Sequence, residues 1–264
     1  MCPTGDIRPQ QPDSHRPRQR SNPLTVYTNP MRILVLGAGK TGRLVAELAA
    51  ERNHTVRVLA AAENAGARAL TPDLLRSFDA AIDFTTPDAV AANMRACLSH
   101  GLRMVVGTTG WYDHLPEMRS LAEKHGTPLV FGTNFSIGMQ MMLKLGREMA
   151  SLLKDSGYSF SISETHHVSK LDAPSGTAIT LRDAVLRAVD GLPASTNNLV
   201  PIASHRTGDV EGIHSLIATG AVDRIILTHE SNSRRPFAEG AIRAAEWLAT
   251  HVGVHDIQEI FGRL

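Results

Sequence analysis

The sequence predicts an α/β protein in which a doubly wound parallel sheet is followed by a second domain of the α+β class. Between residues 31 and 135, short apolar runs alternate with segments of helical periodicity, which is typical of a parallel sheet covered on both faces. From about residue 136 the pattern changes to a methionine-rich helix and to strands of alternating polarity. A chain of 264 residues is long enough for two domains.

Composition excludes several classes of protein. The chain is 42% hydrophobic and 20% charged, which indicates a globular protein with a substantial core. Its net charge is +1, and it becomes −1 without the four arginines and two aspartates of the first thirty residues, so we expect no nucleic-acid partner. No apolar run is long enough for a membrane span or a signal peptide, so we expect a cytoplasmic protein without a membrane partner. Two cysteines, Cys2 and Cys97, do not make a disulfide framework.

The first thirty residues are expected to form a disordered tail. Six prolines lie in this segment, and they interrupt regular structure. Met31 stands directly before an unbroken Ile, Leu and Val run, so we expect the folded part to begin there.

In the first domain, the predicted elements alternate in order along the chain. Strands are expected near residues 32–36, 55–60, 79–84, 103–106 and 128–131, and helices near residues 43–50, 87–100 and 115–125. Parallel sheets bind ligands beyond the carboxyl ends of their strands, where the polar loops of this chain fall. After residue 136, a helix is predicted near residues 139–152 and strands near residues 158–164, 214–219 and 224–229. A closing helix is predicted near residues 241–250.

A glycine-rich turn joins the first strand to the first helix. Gly37, Gly39 and Gly42 have the spacing and the setting of a Rossmann-like dinucleotide fingerprint, in which the backbone approaches a pyrophosphate at the positive end of a helix. Glu63 follows the second strand and is expected to bind the adenosine ribose. The alternative for the glycine-rich turn is an ordinary turn that binds no ligand. The alternative for Glu63 is a solvated loop carboxylate.

The densest polar cluster spans residues 164–177 and leads from a strand into a helix. Ser175, Gly176 and Thr177 stand at the helix start, where free N–H groups favour a substrate carboxylate, although a simple helix cap is the alternative. His166, His167 and Lys170 are close enough in the chain to bind or protonate the same anion. Adjacent histidines on a strand point to opposite faces and no third ligand is indicated by spacing, so we expect no metal.

Other candidates carry weaker signals. Arg234 and Arg235 form a second basic point before the closing helix, with a plain surface role as the alternative. The methionine-rich stripe near residues 139–145 is expected to be core packing.

The stretch ETHHVSKLDAPSGTA from Glu164 to Ala178 closely resembles the signature of the dihydrodipicolinate reductase family. In order along the chain it is accompanied by Asp83-Phe84-Thr85, Gly107-Thr108-Thr109-Gly110, Asn134-Phe135-Ser136 and Arg206 with Gly208, Gly212 and His214. The resemblance extends from about Met31 to Leu264. The glycine loop is one residue shorter than the common family form.

This resemblance implies a dinucleotide-binding domain of residues 31–135 plus 237–264, and a substrate-binding domain of residues 136–236 that builds a homotetramer. It implies catalysis by His166 and Lys170, and substrate binding by His167, Ser175, Gly176 and Thr177. Together with the glycine turn, the predicted cofactor ligands are Gly37, Ala38, Gly39, Lys40, Thr41, Gly42, Glu63, Phe84, Gly107, Thr108, Thr109, Gly132, Thr133, Asn134, Phe135 and Arg234.

The implied reaction is hydride transfer from NADH or NADPH to C4 of an unsaturated cyclic dicarboxylate, completed by a proton from Lys170, in diaminopimelate and lysine synthesis. Glu63 would repel a 2′-phosphate, and Asn64 stands where many family members have an arginine, so we expect a preference for NADH, although Arg68 lies nearby. The alternatives are another nicotinamide-dependent oxidoreductase and a non-catalytic dinucleotide sensor. The second would not need His166 and Lys170.

Overall fold

The computed structural model describes residues 29–189 and 199–262, in which ten strands form two sheets. The predicted tail of residues 1–30 therefore lies outside the described residues, except for its last two. Within the described residues, no helix is both long and apolar enough to cross a membrane.

A six-stranded, fully parallel sheet has the order β10-β5-β4-β3-β1-β2, which confirms the predicted doubly wound class. Its strands are β1 (Arg32–Leu36), β2 (Thr55–Leu59), β3 (Ala80–Asp83), β4 (Met104–Val106), β5 (Leu129–Phe131) and β10 (Val254–Asp256). The strand order reverses between β1 and β3, and such a reversal opens a crevice at the carboxyl edge of the sheet.

Helices cover both faces of this sheet. They are α1 (Lys40–Glu51), α2 (Pro72–Arg76), α3 (Pro87–Ser99), α4 (Leu115–His125), α7 (Arg235–Leu248) and the short α8 (Ile257–Ile260). One apolar layer joins α1 and α7 to the sheet, and a second layer joins α3 and α4 to its other face. Strands buried on both faces need unbroken apolar runs, which is why RILVL forms β1.

The second sheet is mixed and has the order β7-β6-β8-β9. Its strands are β6 (Ser159–His166), β7 (Ile202–Arg206), β8 (Gly212–Thr219) and β9 (Arg224–Ser231). One face packs on α5 (Ile137–Leu153) and α6 (Gly176–Val189), where Met139, Met142 and Leu143 contribute to the core, as the methionine stripe predicted. This second domain agrees with the predicted α+β class.

The short helices α2 and α8, of five and four residues, were not predicted, and three further features differ from the predicted elements. Helix α7 begins at Arg235 rather than near residue 241, because Pro236 stands in its first turn, where proline favours helix initiation. Strands β7 and β10 were not predicted. The first is mostly exposed and has no apolar alternation, and the second has only three residues.

Candidate active site

A polar cavity of about 200 Å³ lies at the end of the second sheet, beside the start of α6. It is lined by Thr133, Asn134, His166, His167, Lys170, Ser175, Thr177, Glu211, Gly212, His214, His229, Ser231, Arg234 and Phe237. We call this cavity the substrate pocket. It brings together five of the six residues predicted to bind or convert the substrate, and the sixth, Gly176, is the first residue of α6.

The last residues of β6 supply the first side chains of the pocket. Alternation along this strand buries Glu164 and His166 on the helix-covered face, whereas Thr165 lies on the other face. His167 follows the end of the strand, and its Nδ1 lies 2.8 Å from the hydroxyl of Ser169. The sequence predicted that the two histidines point to opposite faces of a strand. Instead His167 lies beyond the end of β6, and both side chains line the same pocket.

Glu164 is the buried centre of a hydrogen-bond network beneath the pocket. Its Oε1 accepts from the backbone N–H of Ser175 at 3.0 Å, and the Ser175 hydroxyl donates to Oε2. Arg206 donates to Oε1 at 3.3 Å. Burial raises the pKa of the Glu164 carboxyl, but the hydrogen bonds from Ser175 and Ser204 together outweigh burial and hold this pKa below its ordinary value. Glu164 is therefore an anion that fixes the loop before α6.

Two buried histidines face this carboxylate from neighbouring strands. His166 Nδ1 lies 3.5 Å and His214 Nε2 lies 3.6 Å from Oε2 of Glu164, and the two rings meet edge to face. Burial lowers the pKa of both rings, that of His214 to about 4. Both imidazoles are accordingly neutral near pH 7.

Lys170 lies in the turn after β6, with its ammonium 2.7 Å from Asp172 Oδ1. Burial raises the pKa of Asp172, but the hydrogen bond from Lys170 outweighs this and lowers it. Arg206 holds the same turn, because its guanidinium donates to the carbonyl oxygens of Lys170 and Asp172. The ammonium is thus kept at the pocket by charge and by a fixed backbone.

A loop from the first domain closes the pocket on another side. The side chain of Asn134 donates to Thr177 Oγ1 at 3.2 Å, and the hydroxyls of Thr133 and Thr180 lie 3.1 Å apart. Gln140 in turn donates to the Asn134 carbonyl at 2.5 Å. Thr133 and Asn134, predicted as cofactor ligands, are therefore placed in the substrate pocket, while Gly132 and Phe135 line neither cavity described here.

The glycine turn after β1 is built for close backbone contacts. Gly37 has a φ of +102°, and a Cβ there would stand 2.3 Å from the Phe84 carbonyl oxygen. A Cβ on Gly42 would stand 2.0 Å from the Gly37 carbonyl oxygen. Side chains are excluded at both positions, so the N-terminus of α1 lies directly behind the turn, where it favours an anion.

A cleft of about 330 Å³ opens at the switch between β1 and β3. It is lined by Gly39, Lys40, Thr41, Phe84, Thr85, Pro87, Gly107, Thr108, Thr109 and Arg234. We call it the cofactor cleft. Eight of the predicted cofactor ligands line it. Gly37, Ala38 and Gly42 belong to the same turn, whereas Glu63 lies outside the lining, with its carboxylate accepting from the Ala60 N–H at 3.1 Å.

Asp83 supports the cleft from inside the protein. Its Oδ1 accepts from the Thr85 N–H at 2.9 Å and from the Thr108 hydroxyl at 2.7 Å, and its Oδ2 accepts from Asn93 at 2.9 Å. The amide of Asn64 donates to Asn93 at 2.9 Å, so Asn64 points into the core rather than toward the ribose side. The loops after β2, β3 and β4 are thereby tied to one buried carboxyl.

Sequence reasoning missed several residues of the substrate pocket. It did not assign Glu164, Arg206, His214, His229 or Glu211 a role at the site. Strand pairing places Glu164 opposite His214, His214 opposite His229 and His166 beside Arg206, whereas Glu211 comes from the loop between β7 and β8. Glu164, His166 and His214 also place three atoms of the kind that bind metals within 4.8 Å of one another. His214 is distant in the chain, so the spacing of residues could not indicate it as a third ligand. The Arg206 guanidinium already neutralises this carboxylate, which disfavours a cation there.

The fold and its two neighbouring cavities define an oxidoreductase with a dinucleotide-binding Rossmann fold and a second, mixed-sheet domain. Residues 31–135 match the family described as dihydrodipicolinate reductase, N-terminus, and residues 138–261 match its C-terminus counterpart. The chain belongs to the dihydrodipicolinate reductase family, whose members are nicotinamide-dependent reductases.

Individual relatives agree with this membership. A 4-hydroxy-tetrahydrodipicolinate reductase of Christiangramia forsetii is 32% identical over 246 residues, which cover 89% of this chain and 99% of that protein. Another, of Chromohalobacter salexigens, is 38% identical over 201 residues, which cover 70% of this chain and 74% of that protein. The dipicolinate-bound dihydrodipicolinate reductase of Paenisporosarcina sp. TG-14 has the same fold, with a TM-score of 0.69 at 24% identity over 88% of this chain and all of that one.

Proposed function

We propose that this protein reduces 4-hydroxy-tetrahydrodipicolinate, or its dehydrated form dihydrodipicolinate, to tetrahydrodipicolinate with NADH or NADPH, in diaminopimelate and lysine synthesis. The observation that carries the proposal is the pairing of a glycine-turn cleft with a pocket that holds Lys170, His167 and the start of α6. The activity named for the relatives and the family membership support it.

The pocket offers two kinds of group to a cyclic dicarboxylate. The first N–H groups of a helix have no partners within the helix, so Gly176 and Thr177 present donors and a partial positive charge. His167 adds an imidazole at the rim. The Ser175 hydroxyl already contacts Glu164 and His214, so we assign Ser175 a positioning role, in which it fixes the orientation of the first residues of α6.

Lys170 is the proposed proton donor. Its pairing with Asp172 at 2.7 Å keeps the side-chain nitrogen at the pocket. The neutral His166 ring is more deeply buried and contacts Glu164, so we propose that it tunes the electrostatic potential around the substrate. Together these residues hold the ring in place, and Lys170 supplies the one proton that, with the hydride added at C4, converts dihydrodipicolinate to tetrahydrodipicolinate. The 4-hydroxy form loses water before this reduction.

The cofactor cleft fits a dinucleotide because the backbone near Gly37 and Gly42 leaves no room for side chains and exposes the start of α1. Lys40 adds a positive charge at this point. When bound, the reduced nicotinamide supplies the hydride that the ring accepts at C4.

We also propose a preference for NADH. Glu63 follows β2, is exposed, and its charge would repel a 2′-phosphate. Asn64 is turned into the core by its hydrogen bond to Asn93, so it does not offset this charge.

Cytoplasmic localisation stays a prediction.

An uncovered sheet face supports the predicted homotetramer. Ile213, Ile217 and Ile226 alternate with hydroxyl side chains on the face of the second sheet that lies opposite α5 and α6. Within the described residues, no helix packs on this face. Light scattering should give four times the chain mass, and Ile226→Arg should lower it, because an arginine would be buried without a partner.

The proposed function is tested by cofactor oxidation with purified protein. We expect loss of NADH or NADPH absorbance when the freshly made cyclic dicarboxylate is supplied, and no loss without it. Equal oxidation with simple 2-keto acids, and none with this substrate, would contradict the assignment.

A further inference from the structure

Arg234 lines both cavities and is the one described residue that does so. It stands between β9 and α7, at the residue where α7 is capped. No acidic side chain lies in the first turn of this 14-residue helix, so its positive end reinforces the charge of the guanidinium. A cation in this position is within reach of anionic groups from either side.

In this structure the guanidinium is held by Glu211, from the loop between β7 and β8. Arg234 Nε lies 3.1 Å from Glu211 Oε2, yet this N–H has no aligned hydrogen-bond partner among the described residues. Both side chains are 30% exposed. A pair of this kind, joined by charge and partly solvated, contributes little free energy and is readily exchanged for another anion.

Glu211 also lines the substrate pocket, where its negative charge is unfavourable for an anionic ligand. Its pairing with Arg234 therefore has two effects. The ion pair neutralises the Glu211 carboxylate. It also engages the Arg234 guanidinium, which would otherwise bind a phosphate or carboxylate group of a ligand. Guanidinium groups suit both kinds of anion because they present five donors in a planar fork.

We propose that Arg234 is an anion ligand shared by the cofactor cleft and the substrate pocket, and that Glu211 is its internal competitor, which a bound ligand displaces. This rests on the proposed function, because it takes the two ligands to be a dinucleotide and a cyclic dicarboxylate. Glu211 thereby sets affinity for both ligands without touching the reacting atoms.

The test is equilibrium binding without turnover, with NADH and dipicolinate titrated separately against the full-length protein. Glu211→Gln should lower both dissociation constants about threefold to tenfold at low salt, because the competitor is removed. Arg234→Ala should raise both dissociation constants about tenfold, and Arg234→Lys should restore part of the loss.

The neighbouring Arg235 provides a matched control. It pairs with Glu239 and Glu51 and lines neither cavity, so Arg235→Ala and Glu239→Gln should leave both dissociation constants unchanged. If Glu211→Gln weakens binding, Glu211 is a support for Arg234 and the proposal is wrong. If Arg234→Ala alters one ligand only, the shared role is wrong. If the wild-type protein binds neither ligand, the proposed function fails as well.

Discussion

The substrate pocket and the cofactor cleft are made by different means. In the pocket, buried side chains do the work, because Glu164 fixes Ser175 directly and two neutral histidines stand against its carboxylate. The cleft instead presents backbone to a ligand, since Gly37 and Gly42 carry no side chains and the start of α1 supplies the charge, while the buried Asp83 carboxyl holds the loops from behind. Substitutions in the pocket should therefore change chemistry and pH response, whereas substitutions around the cleft should change cofactor affinity.

The largest effect is expected for Lys170→Ala. Removing the positioned proton donor should lower kcat about 100-fold, while the dissociation constant of NADH should stay nearly unchanged. Steady-state kinetics and a fluorescence titration with NADH measure the two quantities. Lys124→Ala, at an exposed position of α4, is the matched control. A near-wild-type kcat in Lys170→Ala would remove this residue from the mechanism.

An intermediate effect is expected in the pH dependence of stability. The pKa of His214 is lowered to about 4 by burial, while that of an unfolded histidine is about 6.5. A lowered pKa gives stability above pH 6.5 that is lost as the pH falls toward 4, because the unfolded chain takes up a proton that the native protein resists. This histidine alone should reduce the free energy of unfolding by about 3 kcal/mol over that window.

Urea unfolding at several pH values measures this loss. His214→Gln should flatten the dependence between pH 6.5 and 4, whereas His125→Gln, at an exposed position, should not. Equal slopes in wild type and His214→Gln would show that the buried imidazole is not the group responsible.

The smallest effect is expected for Glu63→Ala, in the loop after β2. We expect a lower KM for NADH than for NADPH in the wild type, and a gap that narrows severalfold in the variant, because a ribose acceptor and a repulsive charge are both lost. Glu123→Ala, an exposed carboxylate of α4, serves as the control. A clear wild-type preference for NADPH would mean that Arg68 or another cation governs this site.

Sequence reasoning was most successful where local pattern determines structure. The buried run of β1, the glycine turn and the helix start at Ser175 are each specified by neighbouring residues, and the predicted fold class is confirmed. The network beneath the pocket was not predictable, because Glu164 and His214 meet only through the register of β6 against β8. Such a register depends on packing between distant segments, as does the pairing of Arg234 with Glu211.

In the proposed reaction, a dinucleotide bound in the cleft supplies a hydride, and Lys170 in the pocket supplies a proton, to one ring. The most direct measurement follows the hydride, with NADH that carries deuterium at both C4 positions and the cyclic dicarboxylate as substrate. We predict one deuterium at C4 of the tetrahydrodipicolinate product by mass and NMR spectroscopy, with the second remaining on the oxidised cofactor. Product without deuterium, or with deuterium at another ring position, would contradict the account.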